Sequence, residues 1–175
     1  MTTTLILGGV KSGKSLLAEQ LADDSRLAVT YIATASADDS EMKQRIASHQ
    51  LRRPDHWQTI EAPINLASIL KQHCQPERCV LVDCLTLWLT NLLMADDKTL
   101  LTNEIDALID VLPDLPGELI MVSNETNMGI MPLGELTRQY CDQAGVLHQR
   151  VAAMADRVIL TVAGLPHFLK GQIDD

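Results

Sequence analysis

Residues 8–15 read Gly8-Gly9-Val10-Lys11-Ser12-Gly13-Lys14-Ser15 and match GxxxxGK[ST] at every fixed position. This octapeptide constrains the fold more than any other feature of the chain. It works only where a strand runs into it and a helix leaves it. Residues 4–7 form a short apolar run before it, and residues 15–22, SLLAEQLA, have helical spacing after it, with Leu17 and Leu21 on one face. In that setting glycines let the backbone curl so that successive N–H groups point inward at phosphate oxygens. The helix N-terminus adds the positive end of its dipole. Lys14 is expected to reach the β- and γ-phosphates of a nucleoside triphosphate, and Ser15 to ligate Mg²⁺. The bland alternative is a glycine-rich turn with no ligand; four matched positions in the required context weigh against it.

The rest of the chain alternates strand and helix. Residues 28–33 (AVTYIA), 78–83 (RCVLVD), 118–123 (ELIMVS) and 157–162 (RVILTV) read as buried strands, the last being the final clear one. Residues 58–62 form a possible further strand. Helices are expected over about 41–51, with Ser40 as N-cap, over 64–72, over 85–112 with a break near Ala95-Asp96-Asp97, and over 133–155. Such alternation predicts an α/β fold of the P-loop NTPase, RecA-like type, with a mostly parallel sheet flanked by helices. With 175 residues and no linker, repeat or low-complexity segment, residues 1–175 are expected to form a single nucleotide-binding domain.

Phe, Trp and Tyr total only five, so the core has to be aliphatic. The net charge of −9 argues against nucleic acid or an anionic membrane as the main partner. Cys74, Cys79, Cys84 and Cys141 form no CxxC pair and read as reduced core thiols. No run approaches a membrane span, and the first nine residues lack the features of a signal peptide, so a cytoplasmic location is expected.

Asp83 is the first charged residue after the aliphatic run at 80–82. It can hold the Mg²⁺ shell beside a P-loop, or it can simply cap the next helix. A basic island, Lys43, Arg45, His49, Arg52 and Arg53, occupies residues 43–53 without an acid. In so acidic a chain an anion belongs there. Met42, Ile46 and His49 share a helix face, the inward one. His49 reads either as a nucleophile or general base aimed at a phosphate, or as a half-buried helix histidine. His56, beside Trp57 and beyond Pro54, lacks basic company. Glu125 follows the strand at 118–123; it either orients an attacking hydroxyl or caps the turn at Gly129.

Several segments together resemble one family. They are the GGxxSGKS loop, YIAT at 31–34, the acidic stretch before MKQRIASH, RRPDHWQTIE at 52–61, LVDCLTLWLTNLL at 82–93 and SNETNMGIMP at 123–132. Their order and spacing resemble the bifunctional adenosylcobinamide kinase and adenosylcobinamide-phosphate guanylyltransferase of cobalamin biosynthesis, nearly end to end. The resemblance implies two reactions. Adenosylcobinamide is first phosphorylated from ATP or GTP. GMP then passes from GTP, through an active-site histidine, to adenosylcobinamide phosphate. The histidine maps to His49; where the family often has two adjacent histidines, this chain has Ser48-His49.

By the same resemblance the nucleotide site comprises residues 8–15, Ala33, Thr34, Ala35, Gln50, Leu51, Arg52, Arg53, Glu61 and Asp83, with Mg²⁺ held by Ser15 and Asp83. Arg52 and Arg53 suit triphosphate oxygens, and a carboxylate such as Glu61 can accept both N–H donors of guanine's N1/N2 edge. The resemblance further implies a homotrimer. Two other readings fit the P-loop itself: a small-molecule kinase without guanylyltransferase activity, and a RecA-like regulatory ATPase.

Overall fold

The computed structural model describes residues 2–35, 54–97 and 99–172. The helix expected over 41–51 and the basic island lie outside these residues. Seven strands form one sheet in the order β3-β2-β4-β5-β1-β6-β7. They are β1 (Thr2–Gly8), β2 (Ala28–Ala33), β3 (Gln58–Glu61), β4 (Arg78–Asp83), β5 (Glu118–Asn124), β6 (Arg157–Val162) and β7 (Leu165–Lys170). All neighbours through β6 run parallel; β7 pairs antiparallel with β6. Among the described residues the helices are α1 (Lys14–Asp24), α2 (Leu66–His73), α3 (Leu85–Met94), α4 (Leu100–Val111) and α5 (Glu135–Met154), with a short 3₁₀ turn at Leu112–Asp114.

Strand side chains alternate between faces, and the core divides accordingly. Leu5, Leu7, Val80, Val82, Leu119 and Met121 pack on one side with Leu66 and Leu70 of α2, Trp88 and Leu92 of α3, Leu108 of α4 and Leu147 and Val151 of α5. Ile6, Tyr31, Cys79, Leu81, Ile120 and Val122 face the other side, where Ala18 and Ala22 of α1 lie. The buried seam of α1 is thus alanine, which lets the helix approach the sheet; Leu17 and Leu21 flank it, partly buried. All four cysteines are free and buried, as expected of core thiols.

The expected long helix over 85–112 does break at 95–97, into α3 and α4. Strand β7 corrects the reading of β6 as the final strand. Its residues are mostly exposed, so it has no aliphatic signature, and the turn at Ala163-Gly164 uses left-handed φ values of 52° and 79° rather than the usual Asn-Gly pair.

Candidate nucleotide-binding and transfer site

Parallel strands bring their carboxyl ends to one edge, and there the functional side chains gather. Strand β1 ends at Gly8, and the loop from Gly9 turns into α1 at Lys14. A Cβ on Gly8 would collide with Ser12 Oγ and would lie 2.6 Å from the Thr161 carbonyl oxygen, so only glycine fits. Lys11 and Gly13 take left-handed φ values of 55° and 98°, which reverse the loop and set its N–H groups toward one concavity. The first turn of α1 has no side-chain cap and no acidic residue. Its free N–H groups are therefore available to an anion.

The β6–β7 turn supports this loop: Gly164 N–H donates to the Ser12 carbonyl at 2.8 Å. Lys14 Nζ donates to the Gly9 carbonyl at 3.0 Å. Burial lowers the Lys14 pKa, while nearby Cys84 and Asp83 oppose the shift. Asp83, one strand beyond β5, is thus close enough to act on the loop lysine. Its place before α3 is not that of a cap, since Cys84 is the residue that precedes the helix.

Thr34 fastens the ends of β2 and β4 together. Its hydroxyl donates to the Cys84 carbonyl at 2.7 Å and accepts the Cys84 N–H at 2.9 Å. Asn91 of α3 donates to the carbonyls of Thr34 (2.8 Å) and Pro63 (3.0 Å), tying in the segment after β3. Ala33 pairs in register with both Asp83 and Glu61. Glu61 is exposed at the end of edge strand β3. Four interstrand steps separate β3 from β1, about 19 Å. A nucleotide that touches both Glu61 and the P-loop has to lie along the carboxyl edge, over β2, β4 and β5.

On the other side of β4, strand β5 ends beside the loop. Glu125 N–H donates to the Gly8 carbonyl at 3.0 Å, and its carboxylate accepts the Asn127 N–H at 2.7 Å. It therefore caps a turn at Asn127, not at Gly129. Behind it lies a buried polar chain that sequence reasoning missed. His148 of α5 has Nε2 2.8 Å from Ser123 Oγ and Nδ1 3.7 Å from the Glu125 carboxylate. Ser123 Oγ lies 3.4 Å from Thr86 Oγ1, which accepts the Asn124 N–H at 2.7 Å. The available sign was a histidine on the otherwise apolar face formed by Cys141, Ala144, Leu147 and Val151.

Among the described residues, no group of three or more His, Cys, Asp or Glu could by itself hold a metal ion. The donor set present, one hydroxyl at Ser15 and one carboxylate at Asp83 on the loop's side of the sheet, suits an ion that arrives with triphosphate oxygens and keeps waters. His49 and Gln50, Leu51, Arg52 and Arg53 lie outside the described residues. His56 is exposed in a turn, while its neighbour Trp57 is buried.

The family model described as cobinamide kinase / cobinamide phosphate guanyltransferase matches residues 4–169. The bifunctional adenosylcobalamin biosynthesis protein CobP of Pseudomonas aeruginosa is 59% identical over 168 residues, 96% of this chain and 97% of that one. The bifunctional adenosylcobalamin biosynthesis protein CobU of Escherichia coli is 38% identical over 174 residues, 92% of this chain and 96% of that one. Among solved structures, a KaiC-like protein from Pyrococcus horikoshii aligns with a TM-score of 0.53 at 15% identity, over 91% of this chain and 70% of that one. A second Pyrococcus horikoshii protein aligns with a TM-score of 0.58 at 10% identity, over 99% and 88%. Those two likenesses concern the fold alone, a helix-flanked, mostly parallel P-loop sheet of the KaiC-like, RecA-like kind. Motifs, site geometry and a match over nearly the whole length agree, and the chain belongs to the bifunctional cobinamide kinase / cobinamide phosphate guanyltransferase family.

Proposed function

We propose that one triphosphate cradle serves both reactions, phosphorylation of adenosylcobinamide and transfer of GMP to its phosphate, and that the second proceeds through a guanylyl group on His49. The observation that carries the shared cradle is the loop at 8–15, with Lys14 beside Asp83 at the carboxyl edge of the sheet. In the kinase step the acceptor hydroxyl attacks the γ-phosphorus while the bond to the β–γ bridging oxygen breaks. Loop N–H groups and Lys14 stabilise the charge that develops. Ser15 and Asp83 would hold Mg²⁺, which would neutralise phosphate charge when bound. Glu125 orients the acceptor hydroxyl.

In the guanylyl step a neutral imidazole nitrogen of His49 attacks the α-phosphorus of GTP, and pyrophosphate leaves. An oxygen of adenosylcobinamide phosphate then displaces the histidine and gives adenosylcobinamide-GDP. The basic residues around His49 support this reading, since Lys43, Arg45, Arg52 and Arg53 can hold the phosphates of GTP. Ala33, Thr34, Ala35 and Glu61 line the edge along which the nucleoside would lie. Guanine recognition by Glu61 follows from the chemistry of its carboxylate.

We further propose a cytoplasmic, single-domain protomer that assembles as a homotrimer. No described helix is long and apolar enough to cross a membrane. Met128, Ile130, Met131 and Leu133 are exposed between β5 and α5, an apolar patch suited to a subunit contact. The test is to follow each half-reaction separately, with γ-labelled ATP and adenosylcobinamide for the first and α-labelled GTP and adenosylcobinamide phosphate for the second. Lys14→Ala should remove both, and a retained kinase rate in that variant would end the shared-cradle reading.

A further inference from the structure

The chain Thr86–Ser123–His148–Glu125 runs from the first turn of α3, beside Asp83, to the residue bonded to Gly8. His148 is 7% exposed, yet its Nδ1 has no hydrogen-bond partner among the described residues. An unmatched ring nitrogen in such a place is costly, and its presence calls for an explanation. Its neighbour is the Glu125 carboxylate, 3.7 Å away, too far for a hydrogen bond and near enough to form one after a small shift.

The neighbours decide where the ring proton sits. Thr86 Oγ1 already accepts from Asn124 N–H, and Ser123 lies closer to His148 Nε2 (2.8 Å) than to Thr86 (3.4 Å). With the Ser123 hydroxyl donating to Nε2, the imidazole proton is on Nδ1 and faces Glu125. The other tautomer would set a bare nitrogen lone pair against a carboxylate in a buried site, which is repulsive.

We propose that His148 is a positioning residue for the kinase step: its Nδ1–H, 3.7 Å from the Glu125 carboxylate, closes that short gap and holds the carboxylate aimed at the acceptor hydroxyl beside the P-loop. This rests on the role proposed above for Glu125 as the group that orients the acceptor hydroxyl, and extends it to accepting the hydroxyl proton. As the hydroxyl oxygen bonds to the γ-phosphorus, the bond to the bridging oxygen breaks and the diphosphate leaves with that electron pair. The hydroxyl proton passes to Glu125 and then to solvent. His148 stays neutral throughout and acts by donating a hydrogen bond.

Glu125 is the charged group that faces the ring among the described residues. Tyr140, on the same helix and near Glu125, Cys84 and Cys141, is pushed up to about 12 by burial and remains a neutral phenol. Burial also lowers the His148 pKa, against the pull of Glu125, which favours the neutral ring this role needs.

The test compares His148→Leu, His148→Asn, Ser123→Ala and Glu125→Gln in the kinase half-reaction across pH. His148→Leu removes the donor and should lower kcat by about tenfold or more, and should move the acid limb of its pH profile upward. KM for the triphosphate should stay within about threefold. His148→Asn can place an amide N–H near the position of Nδ1 and should restore both kcat and the acid limb. If His148→Leu does not fold, Ser123→Ala, which frees the ring to adopt the other tautomer, should move the limb in the same direction. An unmoved acid limb in the leucine or alanine variant, or asparagine no better than leucine, would overturn the proposal. If Glu125→Gln keeps the kinase rate, the role of Glu125 itself falls. If Glu125→Gln loses the rate while His148→Leu matches wild type, only the role of His148 falls.

Discussion

Thr34 and Cys84, fifty residues apart, are joined by a reciprocal pair of hydrogen bonds: the Thr34 hydroxyl donates to the Cys84 carbonyl at 2.7 Å and accepts its N–H at 2.9 Å. The pair is buried and sits one residue beyond Asp83, so it sets the backbone that carries that carboxylate. Thr34→Val keeps the shape and removes both bonds, leaving the buried Cys84 N–H without its partner while the Cys84 carbonyl keeps the Trp88 N–H at 3.2 Å. A loss of about 1–3 kcal/mol is expected, read from urea unfolding midpoints. Kinase turnover should fall with it, because Asp83 loses its support. A variant as stable as wild type would show that the pair does not hold the edge.

Gly8→Ala should cost about 1–3 kcal/mol and weaken nucleotide binding, since the new Cβ meets backbone at Thr161 that cannot move aside cheaply. Thermal unfolding with and without ATP checks both parts. An alanine variant with normal stability and normal nucleotide protection would contradict the close approach of β1 and β6 at the loop.

Much of this architecture was legible in the chain. Strands β2, β4 and β6 lie within the residues expected, because a strand buried on both faces is a continuous aliphatic run. The octapeptide at 8–15 placed the cradle because its strand-loop-helix setting is local. What was not legible depends on distant partners. Asn91 reaches the carbonyl of Thr34, 57 residues away, and nothing within 82–93 marks it as a tie. His148 sits at core spacing on α5, and Ser123 and Glu125 meet it only because α5 packs behind the β5 edge. Strand β7 escaped notice because its stability comes from pairing with β6 rather than from buried apolar side chains.

Asp83→Asn should reduce Mg²⁺-dependent turnover more than nucleotide affinity, because charge develops on the phosphoryl oxygens during transfer. Steady-state kinetics with an independent binding measurement separates the two. Lost affinity with an unchanged rate constant would make Asp83 a contact to base or ribose instead.

Burial of His148 gives stability a pH dependence of known sign. Its folded pKa lies below its ordinary value of about 6.5, so the unfolded chain binds more protons as the pH falls through that region. The contribution of the neutral ring is complete above about pH 6.5 and is lost toward the depressed folded value. The urea midpoint of wild type relative to His148→Asn should therefore decline as pH falls from 7 to about 5. A constant difference would show that the ring protonates as readily folded as unfolded.

The covalent guanylyl group proposed at His49 can be detected directly. Wild type, His49→Ala and His56→Ala should be incubated with α-labelled GTP, denatured, and tested for label stability to acid and base. Wild type and His56→Ala are expected to carry acid-labile, base-stable label, as a phosphoramidate requires, and His49→Ala none, while keeping part of its kinase activity. Label kept on His49→Ala and lost from His56→Ala would contradict the assignment of the nucleophile, and no protein-bound label on wild type would contradict the covalent route itself.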